Sequence, residues 1–244
     1  MVQLAHRTVL VVGASGGIGE EVTRTLLATG ATVIAQGRST AKLQALCHYT
    51  EDLSGGRLVT FARNFSTSQE TNSFATHLLN EFGQLDGLVI SMGDWSTGGG
   101  APLLQVTDEA WEKGLQNNLT SHFYALRALV PLVRPHLGAV VHLSGYSSDI
   151  PYPKAAPVSA TNAGRKMLLL TMAEELAGQG PRFYELIIGM IRTRPRKQVG
   201  IDNEAWYQAE EIGQYVARLI EGEDTRAQKT LHYLTDRGST PPSR

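Results

Sequence analysis

Residues 8–19 read Thr-Val-Leu-Val-Val-Gly-Ala-Ser-Gly-Gly-Ile-Gly, a β-branched run that ends directly in a cluster of glycines. A continuous apolar run of this length predicts a parallel strand covered on both faces, since a half-exposed strand would alternate. A helical spacing follows, with Val22, Leu26 and Leu27 on one face and Gly30 placed to end the helix. A strand that hands over to a helix in this way must cross back before a parallel neighbour can pair with it. The same alternation recurs along the chain. Strands are expected over residues 31–35, 58–62, 85–91, 139–144 and 182–188, with 230–234 as a last edge strand. Helices are expected from Ser39 through Leu46, over 68–82, from an N-cap at Thr107 to about Val133, and over 157–177 and 209–221. The pattern predicts an α/β, Rossmann-type doubly wound parallel sheet of about seven strands with helices on both faces. No repeat or linker interrupts it, so residues 1–244 are expected to form a single domain.

Composition narrows the function classes. The formal net charge of −1 gives no global field toward nucleic acid or an anionic membrane, so neither partner is expected. The single cysteine, Cys47, excludes a disulfide framework within one chain and suits a reducing interior. No apolar run reaches membrane-spanning length and the N-terminus carries no leader-like core, which makes the cytoplasm the expected location. The glycine-dense residues 96–102 are expected to form a loop, and no metal site is foreseen.

At the first strand–helix junction, Gly13, Gly17 and Gly19 let the backbone turn tightly and approach a pyrophosphate, while the helix N-terminus offers free amides. The spacing is GxxxGxG. In this, the chain resembles the short-chain dehydrogenase/reductase family. Residues 12–19 are similar to the family's TGxxxGIG, with Val12 in the Thr place. Residues 83–89 resemble the approach to its fourth strand, and Ile90-Ser91-Met92-Gly93 stands where NNAG is usual, keeping only the glycine. Asn117-Asn118-Leu119 resembles the helix segment carrying the family's Asn, best matched by Asn118; Ile188-Gly189 to Thr193 resembles its PG…T segment. The resemblance implies a dinucleotide held by Gly13, Ser15, Gly17, Ile18, Gly19, Gly93, Asn162 and Thr193. Cofactor choice follows from charge. An acidic residue at the end of the second strand would repel a 2′-phosphate; here Gly37 is followed by Arg38 and Ser39, which suit one. NADP(H) is therefore expected over NAD(H), with Asn64 and Phe65 framing the adenine.

The family's chemistry needs a Tyr, a Lys four residues later on the same helix face, and a Ser on the preceding strand end. At those positions this chain has Val158, Asn162 and Gly145. No shifted register repairs the motif: Tyr152 is followed four residues on by Ala156, Tyr146 by Ile150, and Lys166 lies roughly 80° around the helix from Val158. Asn118 alone is retained. Acid–base help of this kind contributes ~10²–10⁴ in rate, so ordinary oxidoreductase activity is expected to be lost or altered. Tyr146, Tyr152 and Ser144 are weaker candidates, with His142 and Asp94-Trp95 near the same strand ends; each also suits plain packing. Arg192 to Lys197, four cations in six residues, could neutralise an anion or form a solvated basic loop. Three function classes remain: an NADP(H)-dependent oxidoreductase with a displaced proton source, a non-catalytic dinucleotide sensor or partner subunit, and a non-redox cyclase or isomerase. Related proteins pair through two long helices, and Met167, Leu168, Leu169, Leu170 and Met172 spread over more than one helix face. A homodimer or homotetramer acting on an unidentified small molecule is expected.

Overall fold

The computed structural model describes residues 2–97, 99–222 and 225–235. The chain runs β1 (Thr8–Val12), α1 (Gly19–Ala28), β2 (Thr32–Gly37), α2 (Thr40–Tyr49), β3 (Arg57–Ala62), α3 (Ser68–Phe82) and β4 (Gly87–Ile90). It continues through α4 (Asp108–Leu115), α5 (Ser121–Leu129), β5 (Ala139–Gly145), α6 (Ala156–Glu175) and β6 (Arg182–Ile188). The last elements are β7 (Ile191–Arg192), α7 (Arg194–Gln198), β8 (Tyr207–Gln208), α8 (Ala209–Glu221) and β9 (Leu231–Leu234). Seven strands form one parallel sheet in the order β3-β2-β1-β4-β5-β6-β9. The direction of winding reverses between β1 and β4, and a doubly wound sheet opens its ligand crevice at the strand ends of that switch point.

Two apolar layers sandwich the sheet. On one face Val9, Val11, Val33, Val89 and Val141 meet Leu26 of α1 and Ile212, Val216 and Ile220 of α8. On the other, Leu10, Val12, Ile34, Leu88, Ile90 and Val140 meet Phe74 and Leu78 of α3, Leu126 and Leu129 of α5, and Leu169 of α6. Burial on both faces explains why these strands read as uninterrupted apolar runs. The helix starts follow their caps: Ser39 accepts from the Lys42 amide (3.3 Å), Thr67 from Glu70 (3.2 Å) and Thr107 from Ala110 (3.2 Å).

The helix expected from Thr107 to about Val133 is not uniform. A π-helical turn over Gln116–Thr120 separates α4 from α5, and a 3-10 turn ends it at Val130–Leu132. Pro131 lacks an amide hydrogen and stops the α pattern there. The π turn is centred on Asn118, in keeping with the habit of such turns to fall at functional sites. The basic stretch expected as a loop is instead folded into β7 and α7, with β7 pairing parallel to β8. In the glycine-dense stretch a 3-10 turn covers Trp95–Thr97, and Gly98 lies outside the described residues. Among the described residues no helix is long and apolar enough to cross a membrane.

The face under α5 and α6 also carries ionisable side chains. His142 on β5 and Glu185 on β6 are register partners, and His142 Nδ1 lies 2.6 Å from the Glu185 carboxylate with both side chains at 0% exposure. The His122 ring of α5 meets that of His142 edge-on, with centroids 5.4 Å apart. Removing one partner of a buried pair strands the other without water to solvate it. Glu185→Ala is therefore expected to lower unfolding free energy by about 3 kcal/mol or more, and Glu185→Gln, which keeps an acceptor, by distinctly less. Chemical denaturation of the three proteins measures both losses.

Candidate functional site at the switch point

The loop after β1 is built around close approach. Gly13 has φ +80°, and a Cβ there would stand 2.8 Å from the Ser91 carbonyl oxygen at the end of β4. A Cβ on Gly19 would stand 2.2 Å from the Gly13 carbonyl oxygen. Gln36, buried at the end of β2, accepts from the Gly13 amide (3.2 Å) and donates to the Arg63 carbonyl (2.6 Å), so one amide side chain pins the loop to two strand ends. No side chain caps the N-terminus of α1, where Ile18 stands at the cap position. The Glu20 amide bonds the Gly16 carbonyl (2.8 Å), and with no side chain capping the helix the glycine cradle fits a dinucleotide pyrophosphate. Thr193, arriving from beyond β7, closes against this loop: a Cβ on Gly17 would lie 3.0 Å from its own Cβ.

At the adenosine end, the Ser15 hydroxyl lies 2.7 Å from where a Cβ on Gly37 would be, so it fills the space an acidic residue would need. Arg38 is 60% exposed, with Nη2 3.7 Å from Asp94 Oδ2 across the crevice. Ser39 spends its acceptor on the α2 cap. Asn64 is exposed and accepts from the Phe65 amide (3.0 Å). The Phe65 side chain does not face the crevice: it is buried in the core beside Phe74 (centroids 5.9 Å), leaving only its backbone for a ligand.

At the other end, positions 145, 158 and 162 do converge. Asn162 lies on α6 one turn after Val158, and its Nδ2 sits 2.7 Å from where a Cβ on Gly145 would stand. Both ends of that amide are engaged. Nδ2 donates to Ser147 Oγ (2.7 Å), and Oδ1 accepts from Arg165 Nη2. Ser144 is a correction to the expected set. It is 1% exposed beneath α6, with its hydroxyl directed at the Asn162 backbone carbonyl (3.4 Å), and it cannot meet a substrate. Asn118 is committed to the β4 loop, accepting from the Asp94 amide (2.7 Å) and donating to the Asp94 carbonyl (2.9 Å). Tyr146 is half-buried at the start of a 3-10 turn, while Tyr152 is exposed and packs edge-on against Trp95 (5.8 Å, 88°) at the lip.

The basic stretch is stitched to its surroundings. Arg192 forms a fork on Asp202 (2.6 and 2.7 Å), Arg194 on Glu20 (3.1 and 2.7 Å), Arg196 holds the Ile191 carbonyl (2.8 Å) and Lys197 bonds Gln208 (2.8 Å). It anchors α7 beside the crevice rather than presenting free charge. Among the described residues no cluster suits a metal.

Sequence reasoning missed Arg165. It is 6% exposed, and Nη1 reaches the Met92 carbonyl (3.1 Å) and His122 Nε2 (3.2 Å). Burial lowers its pKa to about 10, partly offset by Glu185. It is still a cation at neutral pH. Burial first, then the charge of Arg165 and the nearness of His142, push the His122 pKa well below the ordinary imidazole range, so His122 is neutral. The available signal was positional: 158, 162 and 165 share one helix face. Lys166 and Asp149 form a second buried pair that ties the turn after β5 to α6.

A glycine cradle at the switch point of a seven-stranded parallel sheet defines a dinucleotide-binding α/β protein. The short chain dehydrogenase family profile matches residues 7–204, and the chain belongs to that family of oxidoreductases, which use nicotinamide dinucleotides. It is 27% identical over 192 residues to a 3-oxoacyl-[acyl-carrier-protein] reductase of Thermotoga maritima, covering 78% of this chain and 76% of that one. Among solved structures, an NADPH-bound short chain oxidoreductase of Pseudomonas aeruginosa, described as containing an atypical catalytic center, has a TM-score of 0.84 at 23% identity over 98% of this chain and 99% of that one. A metagenomic short-chain oxidoreductase in complex with NADP has a TM-score of 0.77 at 25% identity, with 98% and 99% covered.

Proposed function

We propose that this protein is an NADP(H)-binding member of the family in which ordinary Tyr/Lys-assisted carbonyl chemistry is lost or altered. The observation that carries the proposal is the Asn162 amide. It stands between Gly145 and Arg165 with both polar ends spent on the protein, and Val158 completes a centre with no acid or base among the three positions. A bound cofactor would supply a hydride. The chain's own residues would bind and orient it: Gly13, Ser15, Gly17, Ile18 and Gly19 at the pyrophosphate, Arg38 and Ser39 at the 2′-phosphate, Asn64 and the Phe65 backbone at the adenine, and Gly93 and Thr193 at the nicotinamide half. Asn162, expected there too, is 4% exposed with its amide turned to Ser147 and Arg165.

Preference for the phosphorylated cofactor is supported by charge. Gly37 removes the carboxylate that would repel a 2′-phosphate, and Arg38 is the exposed cation beside it. The NADP-bound metagenomic relative agrees with that preference. A second reading, an altered reaction with a displaced proton source, is favoured by Tyr152, whose ring stands exposed at the lip against Trp95. The non-catalytic sensor or partner subunit and the cyclase or isomerase are outcomes of the same assays.

Self-association belongs to this proposal. Phe123 on α5 and Met167 on α6 are 40% and 55% exposed, on the helices through which relatives pair. A homodimer or homotetramer is the expected state, and light scattering at micromolar concentration should return a multiple of the 26.5 kDa chain mass. A monomer would remove this part of the proposal.

The cofactor proposal is tested by calorimetry with both dinucleotides. NADPH should bind more tightly than NADH, and Arg38→Ala should cut that ratio by ~10- to 100-fold, the contribution of one charge-assisted phosphate contact. An unchanged ratio would refute the role of Arg38. With NADPH and a panel of diketones and activated aldehydes, little or no turnover is expected. Fast turnover abolished by Tyr152→Phe would instead establish the altered reaction.

A further inference from the structure

Arg165 is an unusual side chain to find where it is. It lies on α6 one turn after Asn162, and its guanidinium points at the end of β4. A Cβ on Gly93 would be 3.8 Å from Nη1, so the cation lies directly beneath the backbone that the cofactor cleft presents. Among the described residues no carboxylate hydrogen-bonds the guanidinium. Its partners are a backbone carbonyl, a neutral imidazole and the Asn162 amide, and Nε has none. The carboxylate that supports it electrostatically, Glu185, is itself bonded to His142. A buried cation compensated only at a distance projects positive potential through the loop above it.

The same cation fixes the amide of Asn162. With Oδ1 held by Arg165, Nδ2 must face Ser147, and in that orientation it occupies the space beside Gly145. The three positions are therefore interdependent. A side chain at 145 collides with the Asn162 amide, and a cation at 162 would be driven against Arg165 in a place without water.

We propose that Arg165 is the positioning cation of the cofactor cleft. It supplies positive charge from beneath the floor, orients Asn162, and makes a lysine at position 162 incompatible with the native packing. The claim about the cofactor rests on the proposed NADP(H) reading; the claim about packing does not.

A double-mutant cycle on the full chain separates the two. Asn162→Lys alone is expected to lower the melting temperature by ~5–10 °C, because it places two cations together in a buried site. In the Arg165→Met background the same substitution should cost less than half as much, since the repulsion is gone. Should Arg165→Met not yield folded protein, Arg165→Gln, which keeps a donor toward Asn162 without the charge, takes its place in the cycle. Equal losses in the two backgrounds would overturn the packing claim. For the cofactor, Arg165→Met should weaken NADPH binding ~5- to 10-fold in calorimetry while Arg165→Lys stays within ~2-fold of wild type, as an electrostatic role requires. A brace with no electrostatic role would make the two variants alike, and that result would overturn the positioning claim. Absence of NADPH binding in the wild type would refute the cofactor reading, and the melting cycle would then decide the packing claim by itself.

Discussion

Taking a guanidinium out of water costs several kcal/mol unless its hydrogen bonds and its charge are answered nearby, and Arg165 imposes that requirement on everything around it. The answer here is a chain of groups rather than one counter-ion. Glu185 bonds His142, the His142 ring meets His122, His122 and the Met92 carbonyl receive Nη1, and Asn162 receives Nη2 and passes its own donor to Ser147. Each member has a reason to be what it is. A charged imidazole at 122 would repel the guanidinium, which is part of why its pKa falls. A residue larger than Gly at 145 would meet the amide that Arg165 has turned.

The fold makes this chain of contacts possible. Parallel pairing sets His142 of β5 beside Glu185 of β6 on the face that α5 and α6 cover, and the two helices bring His122 and Arg165 down onto it. At the same strand ends, the reversal of winding between β1 and β4 opens the crevice, and the π turn beneath Asn118 lets that side chain hold the Asp94 backbone. Binding surface and buried network share one wall, namely the β4 loop at Met92 and Gly93. A change in either is felt by the other.

The regular elements were legible because local pattern and tertiary demand agree. The apolar runs of the strands are continuous since both faces are covered, and residues 68–82, 182–188 and 209–221 fall on α3, β6 and α8 to the residue. The glycine cradle was legible too, because its steric constraint is local. What escaped has no local signature. Two-residue strands such as β7 and β8 have no period to detect. Phe65 and Ser144 were assigned to the site by neighbourhood in sequence, whereas side-chain direction sends one to the core and the other beneath α6. Arg165 has no local signature either, since its partners at Met92 and His122 lie 73 and 43 residues away.

These contacts give a physical reason for the ten residues from Ala155 to Gly164, none of which carries an ionisable side chain. Three independent losses would leave a cavity or a water-filled gap where larger polar side chains had been, and the protein would tolerate their return. The geometry describes something else. The space beside Gly145 is taken by an amide, that amide is oriented by a cation, and the cation is supported by Glu185, which is hydrogen-bonded to His142 across the next two strands. Among the described residues His122 Nδ1, His142 Nε2, Arg165 Nε and Glu185 Oε1 have no hydrogen-bond partner, so the network has little left to lose and removing a further partner is costly. On the proposed reading the centre of this cleft is a repacked polar cluster, in which charge opposes a lysine at 162 and the Asn162 amide opposes a serine at 145, beside the glycine cradle that would hold the cofactor.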